Sequence, residues 1–148
     1  MASYHLNVIP SDPRLIPDPT RQEEGVRLFR SMVARDGPVE ARVHEQVQFI
    51  IPMGNLQRVS CPKCGADLKD WWGDALGRAR ESQFADLSVV TPCCQHQTTL
   101  NDLRWDFPAG FARFEMEAEN RGDYLEPGQL GELEHAIGCP LRQVLSRV

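Results

Sequence analysis

The chain has 148 residues, 41% hydrophobic and 25% charged, with a formal net charge of −5. That balance supports a single globular core and excludes wholesale disorder. No stretch approaches the about 20 apolar residues of a membrane helix, and the acidic total repels nucleic-acid phosphates except through a local basic patch.

The opening residues MASYHLNVIP lack a basic region followed by a long apolar run, so no secretory signal is expected and the expected location is cytoplasmic. Tyr4 to Ile9 alternates loosely and predicts a strand. Pro10, Pro13, Pro17 and Pro19 then forbid regular structure. A helix follows, with Asp18 or Thr20 as its cap, Pro19 in the first turn, and Thr20 with Glu23 in capping-box spacing. Val26, Phe29 and Val33 form its apolar stripe, widened by Leu28 and Met32. Asp36-Gly37-Pro38 ends it.

From Val39 the period changes to two. Val39, Ala41, Val43, Val47, Phe49 and Ile51 are expected to share one face of a long strand, with Glu45 the exception. Residues 56–104 follow as an embedded module, with a short helix predicted around Leu68–Ser82 whose Trp72, Leu76 and Ala79 lie on one side. Gly73 and Gly77 weaken that helix. The cleanest alternation is Phe111–Asn120, where Ala112, Phe114, Met116 and Ala118 point inward. Arg113, Glu115, Glu117 and Glu119 are expected to face water. Pro127 starts a last helix, striped by Leu130, Leu133 and Ile137 and ended by Gly138, and Leu141–Val148 completes the order as a strand.

Two strand–helix–strand units flank an insertion. The expected fold is therefore α+β, a ferredoxin-like βαβ-βαβ sandwich within a single domain 1–148, interrupted by a zinc-binding, ribbon-like insertion at 56–104.

Five cysteines without a signal sequence argue against a disulfide framework. Four of them fall into two clusters. Cys61-Pro62-Lys63-Cys64-Gly65 is a tight turn that aims two thiolates at one point. After 28 intervening residues comes Pro92-Cys93-Cys94-Gln95-His96. Zinc takes four tetrahedral ligands, and two readings supply them. Cys61, Cys64, Cys93 and Cys94 bind in the first. In the second His96 replaces Cys94 at C-x2-H spacing. The first is preferred because Pro92-Cys93-Cys94 copies Pro62-Lys63-Cys64. Either set closes the coordination sphere and makes the zinc structural, its binding energy becoming folding energy.

Cys61-Pro62-Lys63-Cys64-Gly65 resembles a zinc-ribbon knuckle. It is also similar to a rubredoxin knuckle, which keeps a single iron as a rival to zinc. Together with Trp71-Trp72, Thr91-Pro92-Cys93-Cys94, Leu100-Asn101-Asp102-Leu103 and Phe107-Pro108-Ala109-Gly110-Phe111, the chain resembles a family of small bacterial proteins of unassigned function. The resemblance implies a bacterial origin and no activity. At the place where a glycine is expected after the paired cysteines, the chain carries Gln95.

Trp71, Trp72 and Trp105 are candidate partner contacts, although core packing and shielding of the metal explain them at least as well. His5, His44 and His135 have no companion at ligand spacing, and Cys139 reads as a free structural thiol. Glu115, Glu117 and Glu119 form either a solvated face or an acidic contact surface for a basic partner. No nucleophile elbow, phosphate loop or HExxH appears, so no catalytic residue is assigned. The expected function is a non-enzymatic, zinc-stabilised protein-interaction or adaptor domain, with an immunity or antitoxin protein as one concrete version. The alternative is a nucleic-acid-binding zinc ribbon using Arg58, Lys63, Lys69, Arg78, Arg80 and Arg104.

Overall fold

The computed structural model describes residues 4–33, 38–52, 54–56, 58–120 and 122–147. In chain order the elements are β1 (Tyr4–Pro10), α1 (Pro19–Met32), β2 (Val39–Ile50), β3 (Val59–Ser60), α2 (Trp72–Glu81), β4 (Ser88–Val90), β5 (Gln97–Thr99), a 3-10 turn (Leu100–Asp102), β6 (Arg104–Trp105), β7 (Gly110–Asn120), α3 (Pro127–Ile137) and β8 (Leu141–Arg147). The fold is mixed α+β, with three helices and a main antiparallel sheet of four strands in the order β2-β7-β1-β8. Each βαβ unit therefore spans a strand of the other: β7 lies between β1 and β2, and β1 lies between β7 and β8.

Period-two burial explains the sheet. Leu6 and Val8 of β1, Phe114, Met116 and Ala118 of β7, and Leu141 and Leu145 of β8 point to one core with Phe29, Leu133 and Ile137 of the helices. Both helices thus cover the same sheet face. They approach closely at Gly25, where any added Cβ would run into Ile137. Asp18 caps α1 by accepting the Arg21 N–H at 2.9 Å, so the Asp18 option is realised. Its expected stop at Asp36-Gly37 lies outside the described residues. Glu126 and Gln129 form the capping box of α3, and Gly138 ends it at φ +90°, where glycine alone is unstrained.

Three expectations need correction. In β2, Ala41 and Val43 lie on the same face as the buried Val39 but are left exposed, Val43 at 52%. The strand is at the sheet edge, where α1 covers Val39 but leaves an open groove beside Ala41, and its register against β7 shifts between Val43 and Gln48. The extra residues change the parity, so Ile50 is buried while Ile51 is exposed. In β7, Glu115 is buried at 6% exposure and does not face water. It accepts from Asn7 Nδ2 at 2.8 Å and Arg42 at 3.4 Å, and lies 2.7 Å from His44 Nε2. Neighbouring strands supply those partners, which single-strand alternation does not reveal. The helix predicted around Leu68–Ser82 forms only from Trp72. Leu68 is instead pinned into the loop by its N–H to Val59 O at 2.8 Å, and the buried stripe of α2 is Ala75 and Ala79.

Residues 56–104, together with Trp105, pack as a second core against one end of the sheet. Val59, Leu68, Ala75, Ala79, Leu100, Leu103 and Trp105 meet Val47 of β2 and Phe111 of β7. A polar clamp fixes the junction. Asn101 donates to Ser11 O at 2.9 Å and accepts from the Phe111 N–H at 3.0 Å. Arg142 Nη1 donates to Asn101 O at 2.8 Å, to Asn101 Oδ1 at 3.1 Å and to Ala109 O at 2.7 Å. Gly110 packs tightly there, since a Cβ would sit 2.8 Å from Ile9 Cδ1 and 3.0 Å from Arg142 Nη1 and would displace both side-chain ends.

Candidate metal centre

Two turns of the same design face each other. In the first, Gly65 N–H bonds to Cys61 O at 3.0 Å and Cys61 N–H to Ala66 O at 2.9 Å. In the second, Gln95 N–H bonds to Thr91 O at 2.9 Å and Thr91 N–H to His96 O at 3.0 Å. Residues 61–66 and 91–96 are therefore equivalent, position by position. The fifth position needs a left-handed backbone, and Gly65 takes φ +77° there while Gln95 takes φ +54°. The glycine expected after the paired cysteines is thus replaced by a residue that bears the strain.

The equivalence explains the vicinal cysteines. Cys94 occupies the position of Cys64, and Thr91 occupies that of Cys61. A regular second knuckle would place its other thiol at residue 91. Cys93 supplies it from inside the turn instead. The four sulfurs of Cys61, Cys64, Cys93 and Cys94 lie within 4.8 Å of one another. Individual separations are 3.2 Å for Cys64–Cys93, 3.7 Å for Cys61–Cys94 and 3.9 Å for Cys93–Cys94. A tetrahedron with metal–sulfur bonds of about 2.3 Å has edges of about 3.8 Å. The donor set and its spacing therefore fit one tetrahedral ion, and the five cysteines are all free thiols.

His96 is not in this group. It corresponds to Ala66, with its N–H on Thr91 Oγ1 at 3.1 Å and its carbonyl on Thr91 N–H. Thr91 is a site residue that cysteine spacing does not reveal. It is fully buried, and its Oγ1 lies 3.7 Å from Cys61 Sγ and 3.6 Å from Cys94 Sγ. The signal was present as Thr91-Pro92 in the frame of Cys61-Pro62.

Burial and charge are uneven across the cluster. Cys61 is buried, whereas Cys64, Cys93 and Cys94 are exposed. The Cys61 thiol is pulled down to about 5, chiefly by the Cys64 backbone N–H; the Lys63 N–H, Thr91 and Cys93 add to it against the opposing effect of burial. Cys64 is pushed up to about 12. The Ala66 N–H favours its thiolate, but Cys93, burial, Cys94 and Cys61 together outweigh that bond. One thiolate is ready, and its neighbour resists ionisation beside it. A divalent cation removes that conflict by neutralising both.

The tryptophans pack around this module. Trp105 is buried, donates to Leu100 O at 3.2 Å, and meets Trp72 edge-on at 5.6 Å. Trp71 and Trp72 are half-buried. Trp71 lines an open groove of about 830 Å³ between α2 and the β4–β5 hairpin, with Ala75, Arg78, Val89, Val90 and Thr98. The six basic residues of 56–104 are matched by six acidic ones, Asp67, Asp70, Asp74, Glu81, Asp86 and Asp102, and Arg58 faces Asp67 at 3.9 Å. No helix among the described residues is long and apolar enough to cross a membrane. Comparison with protein-family models, curated proteins and solved structures gives no match.

Proposed function

We propose that the chain is a zinc-stabilised protein-interaction domain, in which a ribbon-like module is inserted into a ferredoxin-like scaffold and the metal holds that module in shape. The supporting observation is the convergence of two equivalent turns that bring four sulfurs to tetrahedral spacing. The first turn leads into α2, and the second lies between β4 and β5. One ion at the cluster therefore ties together the two walls of the groove beside Trp71. Four thiolates complete the coordination of zinc and leave no position for a reactive water, which favours a structural over a catalytic metal.

A protein partner at that groove, in a cytoplasmic immunity or antitoxin setting, is the concrete version of this reading. The nucleic-acid alternative draws less support, because acidic residues balance the basic ones throughout the module. Zinc is favoured over iron because the second knuckle departs from paired C-x2-C geometry.

Metal analysis of the purified chain tests the centre. One equivalent of zinc and no colour are expected; a red, iron-loaded protein would overturn the zinc assignment. Cys61→Ser, Cys64→Ser, Cys93→Ser and Cys94→Ser are expected to lose the ion, and His96→Ala to keep it. A photo-crosslinker at Val90 in the groove tests the partner. It is expected to trap one host protein with the zinc-loaded chain and none after chelation, and the same capture from both forms would contradict a metal-organised surface.

A further inference from the structure

The four-stranded sheet has two edges, and the fold treats them differently. The C-terminal end of the β8 edge, from Leu145 to Arg147, is covered by the chain that follows β2. Asn55 Nδ2 donates to Leu145 O at 2.9 Å, and Ser146 Oγ donates to Ile51 O at 3.3 Å. Gly54, at φ +78°, lies so close to Arg147 O that a Cβ there would strike it. The β2 edge carries the longest strand of the protein. From Val39 to Val43 it runs in unbroken register with β7, Val39 opposite Ala118 and Val43 opposite Phe114. A regular edge of this kind is a template for another strand.

Its side chains are unusual for an edge facing solvent. Ala41 and Val43 are exposed on the same face as the buried Val39, and Val43 is 52% exposed. On the other face Glu40 and Arg42 form an ion pair. Arg42 is held in place there by Glu117 at 3.2 Å and Glu115 at 3.4 Å.

We infer that two copies of the chain dimerise through their β2 edges, antiparallel, about a twofold axis at Ala41. Identical antiparallel strands can pair only with a residue opposite itself on the axis. Centring on Arg42 would oppose two guanidinium groups. Centring on Val43 would begin to recruit the irregular stretch after it. With Ala41 on the axis, Glu40 faces the partner's Arg42, Arg42 faces the partner's Glu40, and Val39 faces the partner's Val43. The segment is self-complementary in charge. The Val39, Ala41 and Val43 side chains of both copies then form one continuous apolar strip. The dimer joins two four-stranded sheets into one of eight and hides the exposed valine. This goes beyond the interaction role proposed above, since it uses the sheet edge and not the groove beside Trp71.

Sedimentation of the zinc-loaded full chain across a concentration series tests it. A monomer–dimer equilibrium is expected. Glu40→Lys places like charges opposite each other twice per dimer, and Val43→Lys puts a cation into the apolar strip. Each is expected to raise the dimer dissociation constant at least about tenfold, with unchanged circular dichroism because both side chains are exposed in the monomer. Ala41→Cys is expected to give a 41–41 cross-link, identified by peptide mass spectrometry, while Glu40→Cys gives no 40–40 link. A chain that stays monomeric, or a dimer that forms no 41–41 link, overturns the inference.

Discussion

Gly65 and Gln95 occupy equivalent positions and make a paired test of knuckle strain. Gly65 has open space around its Cα, so Gly65→Ala adds no clash and only forces a β-carbon into the left-handed region. A loss of about 1–2 kcal/mol is expected. Gln95 already bears that cost, and Gln95→Gly relieves it while adding unfolded-chain entropy of about 0.5–1 kcal/mol. The net change is expected to be near zero or slightly stabilising. Denaturant titration of the zinc-loaded protein, followed by tryptophan emission, reads both. Equal losses in the two variants would mean the turns are not equivalent. At this scale the sequence was informative about ligands and silent about support. Sulfur is rare enough that its spacing identifies the cluster, whereas a threonine hydroxyl such as that of Thr91 has too many ordinary uses to stand out.

At the scale of elements, the junction between sheet and module depends on Asn101 and Arg142. Arg142→Met keeps much of the aliphatic bulk but leaves Ala109 O and both Asn101 oxygens without that donor. Burial pulls the Arg142 pKa down, with Asp102 opposing, so desolvating this cation already costs free energy that its three bonds offset. Removing it is expected to destabilise by about 1–3 kcal/mol, and Asn101→Ala by a similar amount through the orphaned Phe111 N–H. The double variant is expected to lose less than the sum, since the two share bonds. Strict additivity in thermal unfolding would refute the clamp. Strands and helices here were legible because burial follows period two or the α-helical repeat, and caps such as Asp18 and Gly138 stood at their ends. The β2 register shift and the burial of Glu115 were not. Both arise from pairing between strands about sixty residues or more apart, and no local pattern records a neighbour that distant. The same limit hid the β2 edge, because a stripe of Val39, Ala41 and Val43 reads as core, and the place of β2 at the end of the order β2-β7-β1-β8 is set by distant pairing.

Among the described residues the two larger apolar clusters belong to the helix-covered sheet and to the module, with a smaller one of Ile9, Ile50, Ala112 and Val144, and the larger two are expected to differ in their dependence on metal. The helix-covered core contains Leu6, Phe29, Phe114, Met116 and Leu133 and draws its order from long-range strand pairing. Among the described residues the module has two- and three-residue ladders, one isolated bridge and a ten-residue helix, too little regular structure to persist without a cross-link. Removing the ion is therefore expected to unfold residues 56–104 and spare the sheet. Trp71, Trp72 and Trp105 all lie in or beside the module, so their emission reports on it and on its contact with Phe49 of β2, while amide exchange of β1 and β7 reports on the rest. Chelation is expected to shift the emission to the red with sheet amides still protected. Acidification acts in the same direction, because protons compete with the metal for thiolates. Cys61, held near 5 in the metal-free cluster, ionises most readily. Its depressed pKa contributes stability that is present above the unfolded thiol range and lost as pH falls through about 5. Cys64, pushed up to about 12, favours the proton throughout the physiological range until metal displaces it. Zinc affinity is therefore expected to fall as pH drops below neutrality, with the module opening before the sheet. Simultaneous loss of tryptophan burial and β7 protection would show instead that the inserted module and its scaffold fold as one unit.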